Sequence, residues 1–588
     1  MEGYFNGSLW PRSQRRGWIT RLHDSPMISL MRLGIVGFMQ RETHALNRKL
    51  LVLTVASGIA NAMNLAVINA AVDALRGGGP SWKLFLWFGL SISLFVYSLR
   101  YILYESTRIS EAAICSVRLR LADKIRRSDL LGLESIGEAD IHARISRDMA
   151  TIAQAARPLF AAGQGVVMIL CTLVYIAIVS PIAMLLCLAL IAAGAGKDFR
   201  DRAAYDRGLS DASKQEDELF DSLNGLLKGF KEIRINKLKS DDVFQEFESN
   251  TSRVLDVRTR VNILFSNNLI FIEMFFVLLL GAVAFVLPVI ATSFSGSATK
   301  IVAAILFFFG PLINVVTLIP MLSQVNVAVD NLQRLEAALD EGLSNSMEEE
   351  AAPYVDLSSF KKIQFKGVCF AYKDPEGNAT FQVGPVNGEI RRGEVLLLIG
   401  GNGSGKTTFL KLLTALYRPT QGIIYVDKME IGPANVRSYR NLFSAIFSDF
   451  YLFEKLHGLS TIDPERVNAL LRLMKISDKT AFNNGRFSNI NLSTGQRKRL
   501  ALVVSYLEDK AVYVFDEVAA DQDPEFRRYF YETLLPEMKS SGKTVVVVSH
   551  DDRYFHAGDR VLQMDYGKLS AVPAAPPVPK KAVKRVRK

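Results

Sequence analysis

A glycine-rich run in the last third of the chain has the spacing of a phosphate-binding loop. The apolar stretch EVLLLIG leads into Gly400-Gly401-Asn402-Gly403-Ser404-Gly405-Lys406-Thr407-Thr408, which fits G-x-x-x-x-G-K-[ST]. Consecutive backbone N–H groups in such a loop converge on phosphate oxygens, and a following helix N-terminus favours the negative charge. The motif therefore predicts nucleotide binding, with Lys406 reaching the β- and γ-phosphates and Thr407 ligating Mg²⁺.

Two carboxylates and a histidine follow two further apolar runs. The run AVYVF ends in Asp516 and Glu517, and TVVVVS is followed by His550. A carboxylate at the end of a strand can hold Mg²⁺, and its neighbour can polarise an attacking water. With the phosphate loop, Asp516 and Glu517 predict hydrolysis of ATP with Mg²⁺, Glu517 being the general base. A lone histidine after a strand would ordinarily be structural.

The elements around these residues divide the chain into two parts. The 588 residues are 49% hydrophobic, and the mean hydropathy is +0.17. Long apolar runs lie before about residue 325, whereas short strand-like runs alternate with helices and turns from about 353, an α/β pattern. The four cysteines form no CxxC pair and no Cys/His cluster, so neither a zinc site nor a disulfide framework is expected.

The apolar runs predict an all-α membrane domain over 50–330. Six runs are long enough for spans, although the fourth is short. Two charged segments, 105–157 and 197–263, keep a helical period and would project into the cytoplasm, although ordinary solvated loops are the alternative. An acidic linker at 331–352, an α/β ATPase domain at 353–570 and a disordered tail at 571–588 follow. The predicted spans are 50–72, 83–104, 158–180, 182–196, 264–290 and 301–323.

The net charge of +11 is explained by the orientation of these spans. Residues 1–49 are strongly basic and are predicted to carry an interfacial helix at 27–39. Placing both termini and both charged segments in the cytoplasm collects nearly all Lys and Arg on one side, as the positive-inside rule requires. Membrane lipids are therefore expected partners, and nucleic acid is not.

Four polar residues interrupt the apolar spans. Asn61, Asn64 and Asn69 fall within about 140° of one helix face, and Glu273 lies in the run LIFIEMFFVLLL. An ionisable group there is costly and usually faces a cavity or a partner. One interpretation is that all four line a substrate path. The alternative is that the asparagines hydrogen-bond neighbouring helices.

A five-residue motif carries the resemblance to a known family. Leu492-Ser493-Thr494-Gly495-Gln496, followed by RKRLAL, resembles the signature of ABC transporters, here of the exporter type. The resemblance implies that Tyr372 stacks on adenine, Asp523 contacts the opposite cassette and His550 touches the γ-phosphate. It also implies that two cassettes close head to tail, with each ATP between one chain's phosphate loop and the other's Ser493, Gly495 and Gln496. A homodimer is the expected assembly, and a hetero-partner with a degenerate cassette is the alternative.

At one position the sequence departs from the family's pattern, and the residues around it resemble one branch of the family. Ser448 stands where the family places a glutamine that contacts Mg²⁺ and the attacking water, and we hypothesise that Asp449, or a water held by Ser448, replaces it. The run SAIFSDFYLF is similar to the cyclic-peptide and siderophore-peptide exporter branch of bacterial ABC proteins. ATP-driven export of a peptide-like compound across the bacterial inner membrane is what this implies. The alternatives are a multidrug or lipid exporter, an importer of the same fold, and an ATP-gated channel or regulatory membrane ATPase.

Overall fold

The computed structural model describes residues 48–76, 81–286, 298–343, 349, 352–374, 377–459 and 461–572. The predicted interfacial helix at 27–39 lies outside the described residues, as does the tail after residue 572. The chain divides into two compact units. One contains Met1–Arg126 and Ile136–Ala338, and the other contains Arg127–Ser135 and Leu339–Lys588.

The first unit is built from helices. Among the described residues, six helices are long and apolar enough to cross a membrane, and each predicted span falls on one of these helices. Residues 287–290, at the end of the fifth predicted span, lie outside the described residues. The third is completed by a π-helical turn at Arg144–Asp148, and the fifth ends in another at Ala282–Val286. The six membrane helices are Arg48–Arg76, Trp82–Arg127, Glu138–Val179, Pro181–Lys228, Lys237–Val286 and Ala298–Gly342.

Both charged segments are helical, so the alternative of ordinary loops is wrong. The helices run through them and are interrupted by two short helices, Leu130–Ile136 and Phe230–Ile235. The breaks have local causes. Gly137 has a φ of +86°, which glycine adopts without steric cost, and the Asn236 side chain caps the fifth helix by accepting from the Lys239 backbone N–H at 3.2 Å.

The fourth helix begins at Pro181, which agrees with the start of the fourth predicted span at residue 182. The Ser180 hydroxyl accepts a hydrogen bond from the Ala183 backbone N–H at 3.3 Å, and proline is well suited to the first helical position.

The predicted domain boundary at residue 330 and the linker at 331–352 are partly wrong. The sixth helix continues to Gly342, with Leu332, Leu335 and Leu339 buried at helical spacing. The Arg120 guanidinium binds the Glu336 carboxylate at 2.8 Å within the first unit. Asp340 and Glu341, part of the acidic composition that suggested a linker, therefore lie on the exposed face of this helix.

The second unit contains a six-stranded sheet of order β12-β11-β3-β10-β9-β6. Only β12 is antiparallel to its neighbour. The β3, β9 and β10 strands are almost wholly buried and rich in Val and Leu, as expected for parallel strands covered on both faces. These strands are β3 Val395–Ile399, β6 Phe443–Ile446, β9 Val512–Asp516, β10 Thr544–Val548, β11 Arg560–Asp565 and β12 Lys568–Ala571.

A second sheet, of order β2-β1-β4-β5, and a small β7-β8 hairpin complete the strands of the described chain. These strands are β1 Lys362–Lys373, β2 Ala379–Arg391, β4 Gln421–Val426, β5 Met429–Glu430, β7 Phe482–Asn483 and β8 Arg486–Phe487. The helices of this unit are Lys406–Leu413, Val436–Arg440, Pro464–Leu473, Thr494–Glu508, Pro524–Tyr529, Leu535–Ser540 and the 3₁₀ helix Asp552–Ala557, with a π-helical turn at Phe530–Leu534.

Candidate nucleotide-binding site

Sheet topology brings the predicted catalytic residues to one edge. The phosphate loop follows β3, Glu517 follows β9, and His550 comes two residues after β10. These three strands are adjacent and parallel, so their carboxyl ends open at the same edge. Ligands of open α/β sheets bind at that edge.

The phosphate loop has a backbone suited to an anion. Gly403 and Gly405 have φ values of +74° and +103°, and the helix Lys406–Leu413 begins directly after them. The Lys406 ammonium is buried and donates to the carbonyls of Gly400 and Gly401 at 3.1 and 2.9 Å. Burial lowers the pKa of Lys406 from its ordinary value.

A buried hydroxyl in the same loop points to a ligand. The Ser404 Oγ has no hydrogen-bond partner among the described residues, whereas buried polar atoms are normally satisfied. Among the described residues, the Lys406 ammonium hydrogen-bonds backbone carbonyls of the loop, and an ATP phosphate would fit both Ser404 and Lys406. Gly401 and Asn402 are exposed at the rim of the loop.

The two predicted magnesium ligands contact each other. The Thr407 hydroxyl donates to Asp516 Oδ2 at 2.9 Å. Asp516 is 2% exposed, and burial raises its pKa, against the effect of the Thr407 hydrogen bond. A hydroxyl and a carboxylate are hard oxygen donors, the type that Mg²⁺ prefers beside phosphate, so the residues present fit this ion.

The predicted general base also has a polar partner. His550 Nε2 lies 2.9 Å from Glu517 Oε1, and both side chains are partly exposed. They line a cavity of about 240 Å³ together with Arg527 and Asp551. This arrangement leaves the Glu517 carboxylate accessible to water.

Tyr372, predicted to stack on adenine, is held by hydroxyl contacts. Its OH lies 3.3 Å from Thr408 Oγ1 and donates to the Tyr417 OH at 3.3 Å. Tyr417 in turn donates to the Glu134 carboxylate, which also accepts from Lys411 at 2.8 Å. Tyr417 and Glu134 were not singled out from the sequence, because nothing in its local pattern links the helix Leu130–Ile136 to the ATPase domain.

The signature residues build a helix start. Ser493 and Gln496 form a capping box at the helix Thr494–Glu508, with the Ser493 backbone N–H donating to Gln496 Oε1 at 3.1 Å. The Gly495 carbonyl accepts from Gln522 Nε2 at 2.9 Å. A Cβ at Gly495 would lie 2.9 Å from the Asp521 carbonyl oxygen, so the loop after Glu517 requires glycine there.

Asp523 makes contacts within its own chain. It caps the helix Pro524–Tyr529 by accepting from the Phe526 backbone N–H at 2.9 Å, and it binds the Arg499 guanidinium. The Phe526 hydrogen bond is the main cause of the lowered pKa of Asp523. Its predicted contact with an opposite cassette stays a prediction.

A lysine that sequence reasoning missed contacts Glu517. Lys498 Nζ donates to the Glu517 carbonyl at 2.9 Å and to Asp521 Oδ2 at 2.6 Å. A lysine two residues after the signature looks like part of a solvated basic run in the sequence. Only its burial in the folded domain, with the side chain 7% exposed, could have identified it.

Ser448 and Asp449 lie beside the predicted metal site. They follow β6, and both are exposed. The Ser448 backbone N–H hydrogen-bonds the Asp516 carboxylate and helps to lower its pKa. Replacement of the family's glutamine by Asp449 or a Ser448-held water stays a hypothesis.

In the membrane helices, the three asparagines contact neighbouring helices. Asn61 Nδ2 lies 3.1 Å from Met168 Sδ, and Asn69 Nδ2 donates to the Tyr175 OH at 3.0 Å. Asn64 accepts from the Ser91 hydroxyl.

These contacts are those of the alternative interpretation, helix–helix hydrogen bonding. Glu273, by contrast, is exposed on the fifth membrane helix. The contacts of the asparagines favour the helix–helix interpretation, and a substrate path lined by any of the four residues stays a prediction.

Comparisons with known proteins agree with this site. Residues 383–520 match the family model described as ABC transporter. The ATP-binding protein SyrD of Pseudomonas syringae pv. syringae is 37% identical over 297 residues, which are 49% of this chain and 52% of SyrD. The ATP-dependent lipid A-core flippase of Chromohalobacter salexigens is 27% identical over 267 residues, 41% of this chain and 45% of that protein. The chain thus matches about half the length of these relatives.

A solved structure is similar over nearly the whole chain. A bacterial Atm1-family ABC exporter with ATP bound superposes with a TM-score of 0.71 at 17% identity, covering 90% of this chain and 95% of that one. The predicted fold class, six membrane helices followed by an α/β phosphate-loop ATPase domain, is confirmed. The chain therefore contains an ABC transporter ATPase domain and has the fold of an exporter-type ABC protein, with six helices long and apolar enough to cross a membrane among its described residues.

Proposed function

We propose that this protein exports a cyclic or modified peptide across the bacterial inner membrane, using ATP hydrolysis, as a homodimer. The observation that carries the ATPase part is the edge where Lys406, Thr407 and Asp516 lie beside the Glu517–His550 pair. Glu517 would take the proton of the attacking water, and His550 would orient the carboxylate. Bound Mg²⁺ would neutralise phosphate charge.

The peptide substrate is supported by similarity rather than by a binding pocket. The Subtilin transport ATP-binding protein SpaT of Bacillus subtilis is a further relative, 29% identical over 231 residues, which are 36% of this chain and 36% of SpaT. The motif SAIFSDFYLF favours the peptide branch as well. Glu273 adds an exposed ionisable group at membrane depth, which suits a polar or amphipathic cargo better than a lipid tail.

The homodimer is supported by an apolar patch in the middle of the second charged segment, around the short helix Phe230–Ile235. We call it the tip patch: Leu227, Phe230, Ile235 and Leu238, all more than 60% exposed. Large apolar side chains clustered on an exposed surface favour coverage by another protein surface. A second copy is the simplest partner, because one chain supplies one cassette.

Reconstituted vesicles test this proposal. The purified chain in proteoliposomes should accumulate a labelled cyclic lipopeptide against its gradient when Mg-ATP is added on the cassette side. The Glu517→Gln protein is the matched control and should bind ATP without accumulating the probe.

Three of the rival functions, a lipid exporter, a channel and an importer, have their own results in that assay. Movement of a labelled phospholipid alone would identify a lipid exporter. Equilibration without accumulation would identify a channel. Movement of the probe toward the cassette side would identify an importer, and each of these results would overturn the peptide-export proposal.

A further inference from the structure

The backbone of Glu517 has a conformation that other groups must stabilise. Its φ is +53°, in the left-handed region that non-glycine residues rarely occupy. Such conformations cluster at functional sites and persist only where the surrounding structure fixes them. The Glu517 side chain is attached to this strained backbone. A group that fixes the backbone conformation of Glu517 therefore also fixes the direction of its carboxylate.

A lysine holds that peptide. The Glu517 carbonyl accepts from Lys498 Nζ at 2.9 Å and from the Ala520 backbone N–H at 3.2 Å. The Lys498 side chain is 7% exposed, and its ammonium is oriented by Asp521 Oδ2 at 2.6 Å. A buried ammonium is costly unless it is paired and hydrogen-bonded, so its position is tightly defined.

The same helix carries the signature. Lys498 lies in Thr494–Glu508, whose N-terminus is capped by Ser493 and whose Gly495 carbonyl is bound by Gln522. Lys498 and Gln522 therefore connect this helix to the loop after Glu517 at two separate points. A displacement of the start of this helix would therefore move the Glu517 peptide through the Lys498 side chain.

We propose that Lys498 is a positioning residue that fixes the orientation of the Glu517 carboxylate. It couples this orientation to the position of the signature helix, and Asp521 orients the Lys498 ammonium. The inference rests on the proposed role of Glu517 as general base. A purely structural ion pair would contribute to folding alone. A positioning residue affects the chemical step more than ATP binding.

Steady-state kinetics of the full-length protein in nanodiscs separate these roles. Lys498→Met keeps the apolar stem and removes the donor. It should lower kcat about 10- to 100-fold, the range for losing a hydrogen bond from a charged group. The KM for ATP, and the melting-temperature shift produced by ATP in EDTA, should stay near wild type.

A second lysine–aspartate pair provides the control. Lys543 Nζ and Asp509 Oδ1 are also 2.6 Å apart in the same domain, away from Glu517. Lys543→Met should leave kcat unchanged. Asp521→Asn should lower kcat less than Lys498→Met, and should add nothing in the Lys498→Met background, because the two act as one unit.

The Glu517→Gln background separates failure of this inference from failure of the proposed function. There, Lys498→Met should cause no further loss, since its effect passes through Glu517. Full turnover in Glu517→Gln alone would overturn the role of Glu517 and this inference with it. Wild-type kcat in Lys498→Met, or a fall in kcat matched by loss of ATP binding and melting temperature, would overturn the inference only.

Discussion

At the scale of single residues, the candidate site is a set of polar groups already in contact. Thr407 bonds Asp516, Glu517 bonds His550, and Lys406 bonds its own loop. Electrostatic stabilisation is most effective when groups are held in place before the reaction, because little reorganisation is then needed. The arrangement therefore suits hydrolysis of a bound nucleotide.

The first prediction concerns the general base. Glu517→Gln should lower ATP turnover about 100- to 10,000-fold, because the amide cannot accept the proton of water. ATP binding should persist, since Glu517 does not belong to the phosphate loop. Phosphate release and ATP-induced melting shifts measure the two properties. Glu465→Gln, at an exposed carboxylate of the same domain, is the control. Turnover close to wild type would disprove the assigned role.

The second prediction concerns the residue at the departure from the family pattern. If Asp449 substitutes for the glutamine, Asp449→Ala should reduce ATPase activity at least about tenfold, the effect of losing a charged hydrogen-bond partner. It should also raise the Mg²⁺ concentration needed for half-maximal activity. A magnesium titration of phosphate release measures both. Unchanged activity and unchanged Mg²⁺ dependence would eliminate Asp449 and leave the Ser448-held water.

At the scale of elements, a short helix of the first charged segment belongs to the ATPase unit. Glu134, on Leu130–Ile136, binds Tyr417 and Lys411, and Asp129 binds Arg418 at 3.4 Å. Tyr417 also stacks on Phe370, with ring centroids 4.8 Å apart. The short helix Leu130–Ile136 thus contacts Tyr417, whose hydroxyl accepts from Tyr372, the residue predicted to stack on adenine.

The third prediction tests this chain of hydroxyl groups. Tyr417→Phe keeps the stacked ring and removes the OH shared by Tyr372 and Glu134. Losing a hydrogen bond of about 1 kcal/mol should weaken ATP binding roughly fivefold. Equilibrium binding of a fluorescent ATP analogue measures the change. Tyr354→Phe, which removes an exposed OH bonded to Asn441, is the control and should bind as wild type. Equal affinities for both variants would show that the Tyr417 hydroxyl does not support the nucleotide site.

At the scale of the whole molecule, one chain presents one phosphate loop, one signature and an exposed tip patch. Ile235 is 87% exposed and Phe230 is 63% exposed on the short helix Phe230–Ile235. Burying such side chains contributes about 1.5 to 3 kcal/mol each, so they could stabilise a dimer substantially.

The fourth prediction addresses that dimer. Replacing Phe230 and Ile235 together by Ser should weaken self-association or abolish ATP-driven transport, while each cassette still binds ATP. Native mass spectrometry and the vesicle assay measure these properties. Tyr566→Ser, at an equally exposed position of the ATPase unit, should change neither. An unaltered dimer with unaltered transport would exclude the tip patch as an assembly surface.

Local patterns in the sequence determined much of this protein. Apolar run length located the six spans, and the GKTT and LSTGQ motifs located the ATPase residues, because chain-local spacing specifies both features. Periodicity also predicted helices in the charged segments. It was overlooked at Leu332, Leu335 and Leu339, where acidic neighbours on the exposed helix face suggested a linker.

Only the tertiary structure decided which distant residues meet. The sheet order placed β9 beside β10 and so joined Glu517 to His550. In the sequence Lys498 belongs to a basic run, whereas in the folded domain it is buried and hydrogen-bonds the Glu517 carbonyl. Helix packing directed the three asparagines toward neighbouring helices. Such contacts depend on strand order and on side-chain packing between distant segments, and neither is specified by spacing along the chain.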